Sequence, residues 1–178
     1  MCFGDCLYEA GIHEPTIVAW KGHIAPGSNT DRVCGFEDWL PTLLDLAGGK
    51  DATPKGIDGI SFAPTLLGQS QPPRPFLYRE YPAGAGQQSV RIGDWKGIRP
   101  NIMPGAGKAK AKNKAANVAE KASSAPNLRI ELYNLKSDPH ETTDVSSQHP
   151  DIIAQIEKLM REQHTPNPDF PFPALDKG

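Results

Sequence analysis

Apolar positions change their period along this chain, and each change of period predicts a different element. Thr16-Ile17-Val18-Ala19-Trp20 is a β-branched and aromatic run closed by Gly22 and by Ala25-Pro26-Gly27, which predicts a buried strand. From Asp38 onward, Leu40, Leu43, Leu44 and Ala47 recur at helical spacing. Asp38 is placed to cap that helix, Pro41 falls in its tolerant first turn, and Gly48-Gly49 supply the stop. A turn-rich loop from Asp51 to Gly59 then leads to a short apolar stretch, Ile60 to Leu67, ended by Gly68 and a Pro-rich connection.

The second half has a different character. Phe76 to Tyr81, Ser89 to Ile98 and Ile130 to Leu135 are three short candidate strands separated by turn-rich connections, and they predict a small antiparallel sheet. Ala83-Gly84-Ala85-Gly86 reads as a hairpin loop, because a phosphate cradle would open a helix whereas this loop leads into a strand. Between the second and third strands, residues 101–127 interleave Lys108, Lys110, Lys112, Lys114 and Lys121 with Ala, Gly and Ser. Such a segment buries too little surface to offset its ordering entropy, and it predicts a disordered Ala/Lys-rich insertion. Pro150 then opens a helix whose Ile152, Ile153, Ile156, Leu159 and Met160 share one face, suited to docking on the sheet. Residues 165–178 form an extended Pro-rich tail in which Phe170 and Phe172 are the candidate anchors.

Composition removes several alternatives. The 178 residues carry 18 Pro and 17 Gly, too many breakers for a long helical bundle. With 19 basic and 21 acidic residues the net charge is -2, which makes no case for nucleic acid or an anionic membrane, and the Lys-rich segment lacks the aromatics a nucleic-acid patch would interleave. No stretch reaches the roughly 20 apolar residues of a membrane span. Cys2, Cys6 and Cys34 are too few for a disulfide framework. The five histidines, His13, His23, His140, His149 and His164, are scattered without metal-ligand spacing. Cys2 and Cys6, four apart, lack a third ligand.

A set of segments, in order, resembles one family. Leu7-Tyr8-Glu9-Ala10-Gly11-Ile12-His13-Glu14-Pro15 is similar to the Tyr-Glu-Gly-Gly-Ile-Arg-x-Pro tract of the sulfatases, within the alkaline-phosphatase superfamily. Ala19-Trp20-Lys21-Gly22-His23-Ile24-Ala25-Pro26-Gly27 resembles its Trp-Pro-Gly-x-Ile-x-Pro-Gly strand exit, and Asp38 to Gly48 its Asp-x-x-Pro-Thr-Leu-Leu-x-Leu-Ala-Gly helix. Ile57-Asp58-Gly59-Ile60-Ser61-Phe62, Val90-Arg91-Ile92-Gly93-Asp94-Trp95-Lys96 and Glu131 to Glu141 match the family's Leu-Asp-Gly-x-Ser-Leu, Arg-x-Gly-x-Trp-Lys and Glu-Leu-Tyr-Asp-Leu-x-x-Asp-Pro-x-Glu segments. The resemblance runs from about Leu7 to Gln163 and implies a partial α/β fold. Residues 1–70 would be the end of a sulfatase α/β domain, and 71–164 a C-terminal antiparallel-sheet subdomain with its terminal helix.

The resemblance also implies a chemistry that this stretch of the family does not carry. Sulfatases hydrolyse sulfate esters, of aryl alcohols or of glycans, with a formylglycine made in a Cys/Ser-x-Pro-x-Arg motif beside a divalent cation, usually calcium. Both lie upstream of the Tyr-Glu-Gly-Gly tract, so no catalytic or metal residue is assigned here, and no cofactor is expected on this chain alone. A sulfate-contacting Lys of the family falls at Gly4. Ser70-Gln71-Pro72-Pro73-Arg74 satisfies Ser-x-Pro-x-Arg literally, but its prolines block the helix on which that residue must sit.

The substrate-side candidates are Tyr8 and Glu9 near the family's active-site edge, His13 in place of the usual Arg, and Arg91 and Lys96 on a strand. Gly11 is read as a residue needing backbone freedom, and Tyr133 and Asp138 as shaping the turn after the last strand. The expected partners are the N-terminal portion of a sulfatase and a sulfated carbohydrate, without nucleic acid or membrane. The rival reading is a non-catalytic module that binds a sugar or docks on a separately encoded N-terminal half, or a piece of a related phosphodiesterase. Compartment is not legible, although sulfatases of this kind are often periplasmic or extracellular.

Overall fold

A computed structural model describes residues 6–103 and 126–176. Most of the expected insertion at 101–127 therefore lies outside the described residues, as do Cys2 and Gly4. Its two ends meet: Asn101 and Asn127 form an antiparallel bridge. The contacts divide the chain into two units, Glu14–Leu77 in one and Met1–His13 with Tyr78–Gly178 in the other. Residues 6–13 thus group with the sheet rather than with the stretch 1–70 to which their position in the chain assigns them.

The sheet has four strands, β1 (Leu77–Tyr81), β2 (Gln87–Ile92), β3 (Trp95–Arg99) and β4 (Glu131–Asn134), in that order. β2 pairs antiparallel with β3, and β3 with β4. Here one expectation is corrected: Ser89 to Ile98 is two strands. Ile92 faces Trp95 across a two-residue turn, and Gly93 takes the positive φ (55°) that a hairpin of this length needs at its first central position.

Side-chain alternation sorts the sheet into two faces. The rows Arg91–Lys96–Tyr133 and Ser89–Ile98–Glu131 line one face, and Val90–Gly97–Leu132 lies in the opposite one. The second face receives α4 (Pro150–Gln163), as its apolar stripe predicts. Ile156 and Met160 are fully buried there. Gly97 lets the helix approach, since a Cβ at that position would come within 2.7 Å of Ile156. Arg99 reaches Gln88 (3.0 Å) and Glu157 (3.3 Å) on this side.

The tail is held rather than free. Phe172 is buried at 1% exposure while Phe170 stays exposed, and a turn at 172–176 is closed by the Leu175 and Asp176 N–H groups on the Phe172 carbonyl. Burying one such ring contributes about 1.5–3 kcal/mol, enough to order a short segment locally.

In the other unit the predicted strand at 16–20 has no regular structure, and Ile17 is 94% exposed. A strand is completed by hydrogen bonds to a neighbour, and among the described residues none lies beside it. The predicted helix forms as α2 (Trp39–Leu46), preceded by a 3-10 turn at Phe36–Asp38. Its burial differs from the periodicity: Leu40 and Leu43 are exposed, whereas Pro41 and Thr42 are buried. Thr42 explains this, because its hydroxyl donates to the Asp38 carbonyl (2.6 Å) and accepts the Phe62 N–H (3.0 Å), tying α2 to the segment before α3 (Ala63–Leu66). Trp39 meets Phe62 edge to face at 5.0 Å.

Asp38 does not cap α2. Its buried carboxylate accepts the N–H groups of Gly35 (2.8 Å) and Ile60 (2.7 Å) and pairs with Arg74 (2.6 Å). The Arg74 side chain, 7% exposed, also reaches Glu37 (3.1 Å) and the carbonyls of Asp58 (3.3 Å) and Phe76 (2.9 Å). The arginine of the Ser-x-Pro-x-Arg look-alike is therefore a structural clamp, and no helix follows it. Replacing Arg74 with Ala leaves a buried Asp38 carboxylate without its cation; chemical denaturation should show this unit losing about 3 kcal/mol or more.

Candidate functional site

The first face of the sheet is covered by α1 (Glu9–Ile12), a single turn without a core of its own. Such a turn is held by what its side chains reach. The Tyr8 hydroxyl donates to Glu131 (2.6 Å), and the Tyr133 hydroxyl donates to the same oxygen (2.8 Å). Burial, and then the hydrogen bond to Glu131, push both phenols well above the usual tyrosine range, so both remain neutral donors. The Leu7 N–H donates to Gln87 (2.7 Å). Gly11 passes so close to the Cys6 carbonyl that a Cβ would stand 2.3 Å from it. Close approach, rather than the backbone freedom expected from the sequence, is what requires glycine there.

At the centre is Lys96, its side chain 1% exposed, lying between Glu9 (2.7 Å) and Glu141 (3.0 Å). Glu141 is 2% exposed and has φ of 53°, a left-handed backbone that side-chain-bearing residues seldom adopt. Its Oε2 accepts the Glu9 N–H, while its Oε1 meets the lysine without hydrogen-bond geometry, so that contact is an ion pair alone. Glu141 is presented by the turn that Asp138 builds. The Thr143 N–H, with the Thr142 N–H and hydroxyl, donates to the Asp138 carboxylate and holds it below the usual carboxylate range. Around the triad, Glu9 also faces His13 (3.4 Å) and Arg91 (3.9 Å).

A cleft of about 730 Å³ opens beside this network, with Tyr8, Glu9 and His13 on one side and His140 and Glu141 on the other. Its inner end is anionic and already paired with Lys96. Its mouth carries imidazoles, and His13 is 74% exposed. These groups can exchange hydrogen bonds with a polar ligand, and the imidazoles can attract an anion when protonated. None of the described residues lining the cleft is Ser, Thr or Cys. Among the described residues, no group of three or more His, Cys, Asp or Glu side chains is placed to hold a metal ion, so the divalent cation implied by the resemblance has no fitting ligand set there.

All five sequence candidates, Tyr8, Glu9, His13, Arg91 and Lys96, meet at this one place. Their functional groups are unequally available: Tyr8, Glu9 and Lys96 are satisfied by one another's neighbours, while His13 and, at 26% exposure, Arg91 keep contact with solvent. Sequence reasoning missed Glu131, Glu141 and His140. The usable signal was the family-like run from Glu131 to Glu141, which begins and ends on the two glutamates.

No family model matches the chain. Over 98 residues, 53% of its length, the chain is 40% identical to human arylsulfatase A, and it covers 19% of that protein. It is 23% identical to human N-acetylgalactosamine-6-sulfatase over 169 residues, 91% of this chain and 32% of the relative. A Bacteroides fragilis crystal structure assigned as a sulfatase shares the fold with a TM-score of 0.56 at 14% identity, covering 82% of this chain and 28% of that one. The chain is thus similar to sulfatases in sequence and in fold, and it spans a fifth to a third of the length of these curated relatives.

Replacing Lys96 with Met would bury two carboxylates without their cation. The expected loss is about 3–5 kcal/mol in urea unfolding. Adding Glu141→Gln should recover part of it, which a double-mutant cycle measures.

Proposed function

We propose that this chain serves as the C-terminal portion of a sulfatase, a sulfuric ester hydrolase acting on an aryl sulfate or a sulfated glycan. The observation that carries this reading is the convergence of three family-like segments, Tyr8-Glu9, Trp95-Lys96 and Glu131 to Glu141, on a single buried network beside a cleft. In this role the chain builds a wall of the substrate cleft and holds the Tyr8–His13 turn rigid. His13 and His140 at the mouth would face the anionic substrate. The nucleophile and cation belong to a preceding portion of the enzyme, which supplies the bond-breaking chemistry, so the chain alone is catalytically inert. Incubating the purified chain with an aryl sulfate should release no sulfate above the blank; release above it would sink this reading.

One observation favours docking onto an N-terminal sulfatase portion as the mode of action. In the unit Glu14–Leu77, Ile17, Phe36, Leu40 and Leu43 are all more than half exposed. Isolated apolar residues at a surface are ordinary, but a strand-like run without a neighbour, together with the outward apolar side of α2, presents the kind of surface that another layer of an α/β domain covers. The occupant proposed is that preceding layer. The chain alone should therefore bind a hydrophobic dye or self-associate in size-exclusion chromatography, and both signals should fall when a sulfatase N-terminal portion is added. A dye-silent monomer would remove the ground for docking and leave a free-standing sugar-binding module as the better reading.

A further inference from the structure

His164 stands apart from the cleft, at the C-terminal end of α4, with its side chain 9% exposed. Both ring nitrogens face carboxylates: Nδ1 lies 2.7 Å from Glu80 on β1, and Nε2 lies 2.8 Å from Asp176 in the tail. A carboxylate accepts and does not donate, so both contacts are hydrogen bonds only when the ring carries both protons. A neutral imidazole, in either tautomer, would turn one lone pair toward a carboxylate. We infer that Glu80, His164 and Asp176 form a protonation-dependent clasp that holds the C-terminal segment on the sheet at neutral pH and releases it in alkali.

The surroundings support that assignment. Burial opposes the charge, but the hydrogen bonds and charges of Glu80 and Asp176 outweigh it and raise the imidazole above its ordinary range. The C-terminal end of a helix adds attraction for a cation. Two further polar groups face this cluster and serve Glu80: the Tyr78 hydroxyl from β1 and, at 3.4 Å, the Gln88 amide from β2. Arg99 on β3 is directed to Gln88 and Glu157 instead. From the tail, Phe172 meets the imidazole edge-on at 6.2 Å.

Phe172 anchors the tail by burial, and the clasp adds a charged attachment beside it. The second oxygen of Asp176 accepts the Phe172 N–H (2.9 Å), so Asp176 closes its own turn with one oxygen and tethers it to α4 with the other. The sign follows from the raised value: the charged ring is favoured in the docked state. While both carboxylates are ionised, docking is at full strength below about pH 6.5, the ordinary histidine value, and weakens as pH rises through the elevated value of the docked ring.

The test is a titration of the full isotope-labelled chain from pH 5 to 10, followed by nuclear magnetic resonance. At pH 7 both His164 ring nitrogens should carry protons, and His164 should titrate above the ordinary histidine value. The amides of Phe172 and Leu175 should shift with the same midpoint, while those in the middle of α4 stay still. Asp176→Asn should lower that midpoint and cut tail docking at neutral pH roughly tenfold, as expected for losing one charge-assisted hydrogen bond. His164→Gln should abolish the tail titration; should that variant not fold, Asp176→Asn decides alone, because among the described residues its side chain bonds to the Phe172 N–H and the His164 ring. A neutral imidazole at pH 7, tail amides indifferent to its titration, or an unmoved midpoint in Asp176→Asn would each overturn the clasp.

Discussion

A lysine ammonium enclosed between two carboxylates is the constraint on which the larger unit depends. Desolvating Lys96, Glu9 and Glu141 is costly, and the cost is offset only where the three stay together. That requirement ties a four-residue helix from the beginning of the chain to the third strand of a sheet and to a turn beyond the fourth. None of these pieces would be stable alone: the helix is one turn long, and the turn places a glutamate at positive φ. Arg91, near Glu9, tempers the remaining negative charge at the solvent edge.

The sheet makes this possible because its two faces do different work. One packs Ile156 and Met160 of α4 over Val90, Gly97 and Leu132 in an apolar layer; the other carries the row Arg91–Lys96–Tyr133 with Glu131 beside it. The apolar layer supplies the burial that stabilises the strands. With register set by that layer, the alternation of a strand delivers Arg91, Lys96 and Glu131 to the opposite face. A site of this kind is precise because it rides on the hydrophobic core without occupying it. The smaller unit repeats the logic with Arg74 clamping Asp38 and Glu37, a polar centre in a segment whose Leu40 and Leu43 lie outward.

Much of the fold was legible in the chain. The stripe from Ile152 to Met160 required a helix against the sheet, and the short runs around Leu77, Val90 and Leu132 required strands. Two readings failed for identifiable reasons. The β-branched run at 16–20 has strand propensity, but propensity does not supply a neighbour to pair with. Leu40 and Leu43 have helical spacing, yet α2 turns Pro41 and Thr42 inward because one threonine hydroxyl satisfies two backbone groups there. The candidate site was half visible. Tyr8, Glu9, His13, Arg91 and Lys96 could be named from family-like segments, whereas the roles of Glu131, Glu141 and His140 depended on contacts between distant parts of the chain.

By itself the sequence determined the local elements and the resemblance to sulfatases, because period, turn chemistry and short motifs are properties of neighbouring residues. Tertiary structure alone decided which charges are paired. Lys96 and Glu9 stand 87 positions apart, and Glu80 and His164 stand 84 apart. Ion pairing falls off with distance in space and is indifferent to distance along the chain, so whether a lysine meets substrate, solvent or a buried carboxylate is settled only when the sheet has formed.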